Sequence, residues 1–166
     1  MSIQRTIKHF MTGSIAVNAA FPARTLRAIE QAISDSETRH GGQIRFAVEA
    51  ALDLAALRRN QSAAERGIEV FSELRVWDTE YNNGVLIYLL LADHDVEIIA
   101  DRGIHAKVGH AAWETICQDM ETAFRRGKFE QGVITGIHEA GNHLQHHFPK
   151  NSGSFVNELT DKPLVL

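Results

Sequence analysis

The chain has 166 residues, of which 44% are hydrophobic and 23% charged, and its formal net charge is -4 with histidine neutral. The length fits one domain, and the composition is typical of a globular protein rather than a disordered one. The negative charge argues against a nucleic-acid surface, and the single cysteine, Cys117, excludes an internal disulfide and a multi-cysteine zinc site.

Residues 1–21, MSIQRTIKHFMTGSIAVNAAF, predict an amphipathic helical segment. Its apolar side would carry Ile3, Ile7, Phe10 and Met11. Such a helix could pack on the domain or contact a membrane surface. A secretory signal peptide is the alternative, but its apolar stretch would be short and interrupted by polar residues. No apolar run in the sequence approaches the roughly 20 residues that span a bilayer.

The stretch FPARTLRAIEQAISDSETRHGG predicts a helix that begins near Pro22 and ends at Gly41-Gly42. The next stretch, QIRFAVEA, alternates apolar and polar residues, which predicts a half-buried strand. Its buried face would carry Ile44, Phe46 and Val48. Asp53 then has the position of an N-cap for a short helix over residues 54–58.

The stretch SAAERGIEVFSEL gives the clearest helix signal. Ser62 and Glu65 have the capping-box spacing, in which each side chain accepts from a free backbone N–H of the first turn. The buried stripe is predicted to consist of Ala64, Ile68, Phe71 and Leu74. A loop over residues 75–83 follows.

Two apolar runs, residues 85–91 and 96–100, flank the short stretch Asp93-His94-Asp95. So short a connection requires an antiparallel hairpin, and its polar residues have the composition of a solvated turn. The first run is apolar on both faces, which predicts a central strand covered by helices on two sides. The strand before it should lie parallel to it through a right-handed crossover.

Two helices are predicted after the hairpin. Their buried stripes would consist of Trp113, Ile116, Met120 and Phe124 in the first, and of Val133, Ile137, Ala140, Leu144 and Phe148 in the second. After Pro149 the period is lost, and we expect residues 149–166 to form a tail that is poorly ordered or, as an alternative, lies along the surface. This order of elements predicts an α/β fold: a three-layer α/β/α sandwich with a small mixed sheet, built from a parallel crossover and one antiparallel hairpin.

The outer ends of the hairpin form the main candidate site. If Asp93 and His94 are the two turn residues, Leu86 lies opposite Asp101. One neighbourhood would then contain Asn82, Asn83, Asp101 and Arg102, with Asp78 and Thr79 in the loop above it. Oxygen ligands from Asp and Asn suit hard cations such as Ca²⁺. The alternative is purely structural, because the same residue types end strands and form turns.

Histidines near the end of the sequence resemble a metal motif only superficially. In HEAGNH, His138 and His143 are five residues apart, which turns them about 140° from each other on a helix, whereas the zinc-protease motif needs a spacing of four. A workable spacing of three or four residues occurs among His143, His146 and His147. Clustered histidines of this kind more often solvate a helix face.

Two further features have structural and functional interpretations. The basic stretch RRGKF, residues 125–129, could contact a phosphate or an acidic lipid, or could simply place cations at a helix end. Cys117 lies beside the predicted stripe of Trp113 and Met120, so we interpret it as a small buried hydrophobe rather than a nucleophile.

Three stretches of the sequence resemble successive blocks of the TPM domain. They are GGQIRFAVEAALD, AAERGIEVFSELRVWDTEYNNGVLIYLLLADHDVEIIADRGI and FRRGKFEQGVITGIHEAGNHL. The resemblance covers residues 22–148 and is most specific in Asn83-Gly84-Val85-Leu86 and in residues 101–104. The family includes thylakoid-lumen proteins linked to photosystem repair, bacterial membrane-anchored proteins and a nematode receptor modulator. It implies an α/β/α sandwich, a site for Ca²⁺ or another divalent cation, and the acid phosphatase activity reported for some plant members.

The resemblance implies a metal site formed by Asp78, Asn83 and Asp101, with Asp101 and Arg102 as the catalytic residues if the protein is an enzyme. Two departures weaken it. Asn82 stands where related chains often carry an acidic residue, and DRGIH replaces a Gly-x-Gly-x-Glu pattern. Loss of carboxylates lowers calcium affinity, which follows ligand charge. Arg102 is also expected to neutralise Asp101 as an ion pair.

The first functional hypothesis is a binding module that uses this site for a cation or a partner and assists the assembly or maintenance of membrane-associated proteins. The alternative is a metal-assisted phosphatase of phosphomonoesters, in which a cation held by Asp78 and Asp101 activates water and Arg102 stabilises developing charge. A scaffold whose strand ends serve folding alone is the third. We expect a domain over residues 22–148 and a membrane-associated protein, rather than a nucleic acid, as its partner. We expect the protein to be cytoplasmic and peripheral to the membrane. Export by a signal peptide is the alternative.

Overall fold

The computed structural model describes residues 3–150 and 156–166, within which eight helices surround a four-stranded mixed sheet. The helices are α1 (Ile3–Met11), α2 (Ser14–Ala20), α3 (Ala23–Glu37), α4 (Leu54–Arg58), α5 (Ala63–Glu73), α6 (Arg102–Val108), α7 (His110–Arg125) and α8 (Phe129–His147). The strands are β1 (Gln43–Glu49), β2 (Gly84–Leu90), β3 (Asp95–Ala100) and β4 (Leu164–Val165). The α/β sandwich predicted from the sequence is confirmed.

The sheet has the order β3-β2-β1-β4. Strand β1 lies parallel to β2, and β2 pairs antiparallel with β3, as predicted. One face of the sheet packs against α3, α7 and α8, and the other packs against α4 and α5. Every residue of β2 is buried because helices cover both of its faces and strands flank both of its edges.

The hairpin pairs two residues out of the predicted register. Leu90 lies opposite Asp95 and Leu86 opposite Ile99, so Leu86 does not face Asp101. The cause is the turn, which occupies four residues, 91–94, instead of two, and places His94 in the left-handed region with φ 54°. A shift of two residues keeps every side chain on its predicted face, because the strand period is two.

Two burial predictions for the first half of the sheet are wrong. Strand β1 is buried on both faces rather than half-buried, since α4 and α5 cover the side that carries Ala47. In α5 the buried residues are Ala63, Gly67 and Val70, whereas Ile68 is 59% exposed. Phe71 and Leu74 of the predicted stripe are partly buried against this core, but the fully buried stripe lies one position earlier, because a buried glycine adds nothing to an apolar pattern. The capping box of Ser62 and Glu65 and the Asp53 cap both form as predicted.

The predicted stripes of α7 and α8 are buried from Trp113 to Phe124 and from Val133 to Leu144, whereas Phe148 lies just beyond α8 and is only partly buried. Helix α6, which begins directly after Asp101, was not predicted. Within residues 3–150 and 156–166, no helix combines the length and the apolarity needed to cross a bilayer.

The prediction of a poorly ordered tail needs correction for residues 156–166. Leu164 and Val165 form β4 beside β1, and the backbone N–H of Leu166 donates to Val48. Gln43 Oε1 accepts from two backbone N–H groups of the returning segment, and Arg45 donates to the carbonyls of Thr160 and Lys162. Side-chain-to-backbone bonds of this kind leave no periodic signal. The tail prediction for residues 151–155 lies outside the described residues.

Candidate functional site

The start of β2 and the end of β3 lie side by side, as the hairpin predicts. The backbone N–H of Asp101 donates to the Gly84 carbonyl at 2.9 Å, and that of Ile104 donates to the Asn82 carbonyl at 3.2 Å. The contact is close: a Cβ on Gly103 would lie 2.5 Å from the Asn82 carbonyl oxygen. We call residues 82–84 and 101–104 the strand-end rim.

Asn83 is fully buried in this rim. Its Nδ2 donates to the Gly41 carbonyl at 3.1 Å, and its backbone N–H donates to Thr79 Oγ1, also at 3.1 Å. The bond to Gly41 orients the side-chain amide, yet Asn83 Oδ1 has no hydrogen-bond partner among the described residues. The loop over residues 74–83 packs tightly on the rim, because a Cβ on Gly84 would overlap the Val76 carbonyl oxygen.

Asp101 is the N-cap of α6 and is 9% exposed. Its Oδ1 accepts from the Arg102 backbone N–H at 2.7 Å, while Oδ2 is buried without a hydrogen-bond partner among the described residues. The sequence carried a signal for this cap, since Asp is a preferred N-cap residue and seven residues without proline follow it. The rim therefore holds two buried, unpaired side-chain oxygens.

Arg102 does not neutralise Asp101 as predicted. Its exposed guanidinium donates from Nε to Asn82 Oδ1 at 3.4 Å, and no ion pair joins Arg102 to Asp101 in the described structure. Arg102 nevertheless stays on the rim through this bond to Asn82.

Asp78 lies on the loop that covers the rim, but its carboxylate is directed elsewhere. It is 51% exposed and pairs with Arg75 Nη2 at 2.6 Å. Among residues 3–150 and 156–166, no three His, Cys, Asp or Glu side chains are grouped so that they could hold a metal ion. The ligand set of Asp78, Asn83 and Asp101 stays a prediction, of which the structure places two members at the rim.

Sequence reasoning missed a polar pocket of about 210 Å³ next to the rim. Burial raises the pKa of Glu37 to about 8, although its Oε1 accepts from the Ile44 backbone N–H at 2.8 Å. Burial also lowers the pKa of His40 to about 4. Both residues stand at the polar end of a helix, where the sequence gives no sign that they are buried.

The hydrogen bonds of His40 define its tautomer. Nδ1 lies 3.1 Å from the Gly42 carbonyl, which can only accept, so Nδ1 carries the proton. Nε2 then accepts from Ser36 Oγ at 3.0 Å. Residues 41–43 connect the pocket to the rim. The Gly41 carbonyl accepts from Asn83 Nδ2, and the Gln43 backbone N–H donates to the Asn83 carbonyl.

The remaining candidates have structural partners. The His143 ring packs against Trp113 with 5.5 Å between ring centroids, and His146 packs against His147 at 4.6 Å. Cys117 is buried beside the stripe of α7, and burial raises the pKa of its thiol to about 12. This supports its interpretation as a packed hydrophobe.

Comparison with known proteins agrees with the fold and with the resemblance. The NMR structure of the BA42 protein from the psychrophilic bacterium Bizionia argentinensis is similar, with a TM-score of 0.77 and 30% identity over 88% of this chain and 95% of that one. None of the proteins with a curated description matches significantly. The profile of the TPM domain matches residues 18–143, which is most of the chain. The chain therefore belongs to the TPM domain family.

Proposed function

We propose that the strand-end rim is a divalent-cation site that prefers Ca²⁺ and that the chain acts as a binding module. The observation that carries this proposal is the pair of unpaired oxygens, Asn83 Oδ1 and Asp101 Oδ2. A buried polar group without a partner costs about 1–3 kcal/mol, and a charged one costs more. A cation bound to either oxygen would give it a partner and recover this energy.

The chemistry of the two oxygens suits a hard cation. Asp101 would supply the charge and Asn83 a neutral ligand whose amide is already oriented by its bond to Gly41. With one carboxylate in place, we expect weak binding, with Kd on the order of 10⁻⁴–10⁻³ M. Asp78 would add a second carboxylate if it exchanged its ion pair with Arg75 for the cation.

Access to the rim requires movement of the loop over residues 74–83. Asn83 has no exposed surface and Asp101 very little, so a cation reaches them only when this loop shifts. Trp77 in the same loop is 48% exposed, with Arg75 over its ring. Cation binding should therefore change the fluorescence of Trp77, read without interference in a Trp113→Phe background.

The test is calorimetric titration of the full chain with Ca²⁺, Mg²⁺ and Mn²⁺. Asp101→Asn removes the charge but preserves the cap, because Asn caps helices as well as Asp. Asp53→Asn is the matched control, since Asp53 is the N-cap of α4 and accepts from the Ala56 backbone N–H at 2.7 Å. We expect Ca²⁺ binding that Asp101→Asn weakens at least about tenfold, given its dependence on ligand charge, and that Asp53→Asn leaves unchanged. Absence of heat with all three ions, or equal binding by both variants, would refute the site.

A metal-assisted phosphatase is the second candidate function, and the exposed guanidinium of Arg102 favours it. Arg102 stands next to Asp101 on the rim, where it could contact the phosphoryl group of a phosphomonoester held by a cation. We expect any turnover of such a substrate to require a divalent cation and to be lost in both Asp101→Asn and Arg102→Ala. Turnover that survives both changes would place the activity elsewhere or in a contaminant.

The biological task that we propose for this module is to assist the assembly or maintenance of a membrane-associated protein in the cytoplasm. The family membership supports this role, and the partner would be a protein rather than a nucleic acid, given the net charge of -4. Affinity capture with the native chain and with Asp101→Asn, each with and without Ca²⁺, tests it. A partner retained equally by both would separate partner binding from the cation site.

A further inference from the structure

Helix α1 packs on the domain through its polar side. Arg5 donates from Nε to Asp93 Oδ2 at 2.9 Å and from Nη2 to the Gln61 carbonyl at 2.8 Å. His9 is 4% exposed, and its Nδ1 accepts from the Leu52 backbone N–H at 2.9 Å. Two polar side chains one helical turn apart therefore hold α1 in place.

The apolar side of α1 consequently faces solvent. The exposed fractions are 76% for Ile3, 53% for Ile7, 72% for Phe10 and 81% for Met11, and Ile15 in α2 reaches 85%. At about 100° per residue, the four side chains of α1 share one arc, and Arg5 and His9 lie on the opposite side. An amphipathic helix of a globular protein normally buries its apolar stripe, so this reversed orientation indicates a surface that binds something outside the domain.

The N-terminal segment that contains this helix is positively charged although the whole chain is negative. Residues 1–29 contain Arg5, Lys8, Arg24 and Arg27 and no Asp or Glu, which leaves a charge of -8 for residues 30–166. Lys8 is exposed on α1. Two copies joined through this region would bring like charges together, whereas an anionic surface would complement them.

The basic loop over residues 125–129 lies next to the same helix. Gly127 and Phe129 line one open cavity of about 580 Å³ together with Lys8 and Thr12. Arg126 and Lys128, on either side of Gly127, are exposed, and neither forms a salt bridge within the described residues. The fold thus joins a basic loop and an apolar helix face that are more than 100 residues apart in sequence.

We propose that α1, Ile15 and the 125–129 loop form a binding surface for an anionic lipid bilayer. Helix α1 lies in the plane of the interface and inserts Ile7, Phe10 and Met11 among the acyl chains. Lys8, Arg126 and Lys128 contact the lipid phosphates. The bonds of Arg5 and His9 keep the domain attached to the helix on the side away from the lipid.

Vesicle co-sedimentation of the full chain tests this surface. We expect binding to vesicles of phosphatidylcholine mixed with phosphatidylglycerol, little binding to phosphatidylcholine alone, and weakening by salt. The double substitution Ile7→Gln and Phe10→Gln should lower the partition coefficient at least about tenfold, because two exposed apolar side chains are lost from the interface. Ile68→Gln, which alters an equally exposed isoleucine on α5, is the matched control and should bind like the native chain.

The basic contribution is tested separately. Lys8→Glu combined with Lys128→Glu should abolish the preference for anionic vesicles, whereas Lys107→Glu, in the last turn of α6 over the Phe148 ring, should leave it intact. Asp101→Asn should also bind vesicles normally, so failure of the cation site and failure of the lipid surface can be told apart. Equal binding to neutral and anionic vesicles, or no loss in either double variant, would overturn the proposal.

A fluorescent label reports insertion directly. Met11→Cys places a thiol on the exposed face, and labelling is selective because the native Cys117 is buried. An environment-sensitive dye at position 11 should shift to shorter wavelength with anionic vesicles, whereas the same dye on Ile68→Cys should not. Two results together would assign this face to self-association and refute lipid binding. One is a dye signal that depends on protein concentration in the absence of lipid. The other is a dimer in analytical ultracentrifugation that dissociates when Ile7→Gln and Phe10→Gln are combined.

Discussion

The carboxylate of Asp93 in the hairpin turn accepts from Arg5 Nε at 2.9 Å, which joins residues 88 positions apart. Its other oxygen, Oδ1, lies 3.2 Å from His9 Nε2. The sequence indicates a solvated turn at this point, but the turn is the anchor of α1. The position of the exposed apolar face therefore depends in part on one acidic side chain, together with the bonds to Gln61 and Leu52.

Replacement of Asp93 should release α1 from the domain. Asp93→Ala removes a charge-assisted bond to Arg5, worth about 1.5–3 kcal/mol, and leaves the partly buried guanidinium without its carboxylate. We expect faster amide hydrogen exchange in α1 and unchanged exchange in β2. Asp119→Ala, which alters an exposed residue of α7, is the control. Unchanged protection of α1 in the Asp93 variant would show that other contacts hold the helix.

The stability of the domain should fall as pH rises from 6.5 to 8. Burial raises the pKa of Glu37 from 4.5 to about 8, so between these values the folded state holds a proton that the unfolded chain lacks, and a rise in pH favours unfolding. His40 acts in the opposite sense between its folded pKa of about 4 and its unfolded value of 6.5. The effects of Glu37 and His40 on the free energy of unfolding oppose each other from pH 4.5 to 6.5. Above pH 6.5 the His40 effect ends, and the effect of Glu37 is no longer offset.

Glu37→Gln isolates this effect, because glutamine cannot ionise and its Oε1 can still accept from the Ile44 backbone N–H. The free energy of unfolding of the variant relative to the native chain should increase by up to about 1.4 kcal/mol per pH unit between pH 6.5 and 8. Urea titrations at several pH values measure it, with Glu80→Gln, an exposed position, as the control. A constant difference between variant and native chain across this range would contradict a protonated Glu37. Glu97, whose pKa burial raises to about 7, contributes equally to both proteins and cancels in the comparison.

Gly84→Ala should strongly destabilise the domain. The added Cβ would overlap the Val76 carbonyl oxygen, and a backbone atom on a packed loop cannot move aside as a flexible side chain can. We expect a loss of about 3 kcal/mol or more, at the upper end of overpacking effects. At Gly13, where no heavy atom lies within 4 Å, alanine should cost about 1 kcal/mol or less. Urea denaturation measures the free energy of unfolding of both variants. Similar losses of stability in Gly84→Ala and Gly13→Ala would mean that the loop over residues 74–83 packs loosely on Gly84.

Cys117 should be almost unreactive in the folded chain. Burial raises the pKa of its thiol from 9.0 to about 12, which lowers the thiolate fraction, and the side chain is also shielded from reagents. Modification by a thiol-specific chromogenic reagent should be at least about 100-fold slower than in denaturant, on the basis of the thiolate fraction alone. Reaction at a similar rate in both conditions would indicate that α7 opens readily.

Short-range patterns in the sequence determine most of the elements of this domain. The capping box of Ser62 and Glu65, the apolar run of β2 and the stripes of α7 and α8 are all found where they are predicted. These signals are local, because a helix turn repeats every 3.6 residues and a strand every two. They also predict that the two ends of the hairpin meet, since so short a connection forces the strands to pair.

Only the tertiary structure decides how distant groups satisfy one another. The hairpin register depends on a turn two residues longer than its polar residues suggest, and the order of residues 156–166 depends on bonds to Gln43 and Arg45. The pKa of Glu37 depends on burial by surrounding elements. The side of α1 that meets solvent depends on bonds to Leu52, Gln61 and Asp93, all more than 40 residues away along the chain. A pattern along the chain shows which side chains are apolar, but only the tertiary structure determines which groups a polar side chain contacts. The candidate cation site and the proposed lipid-binding surface both depend on such contacts.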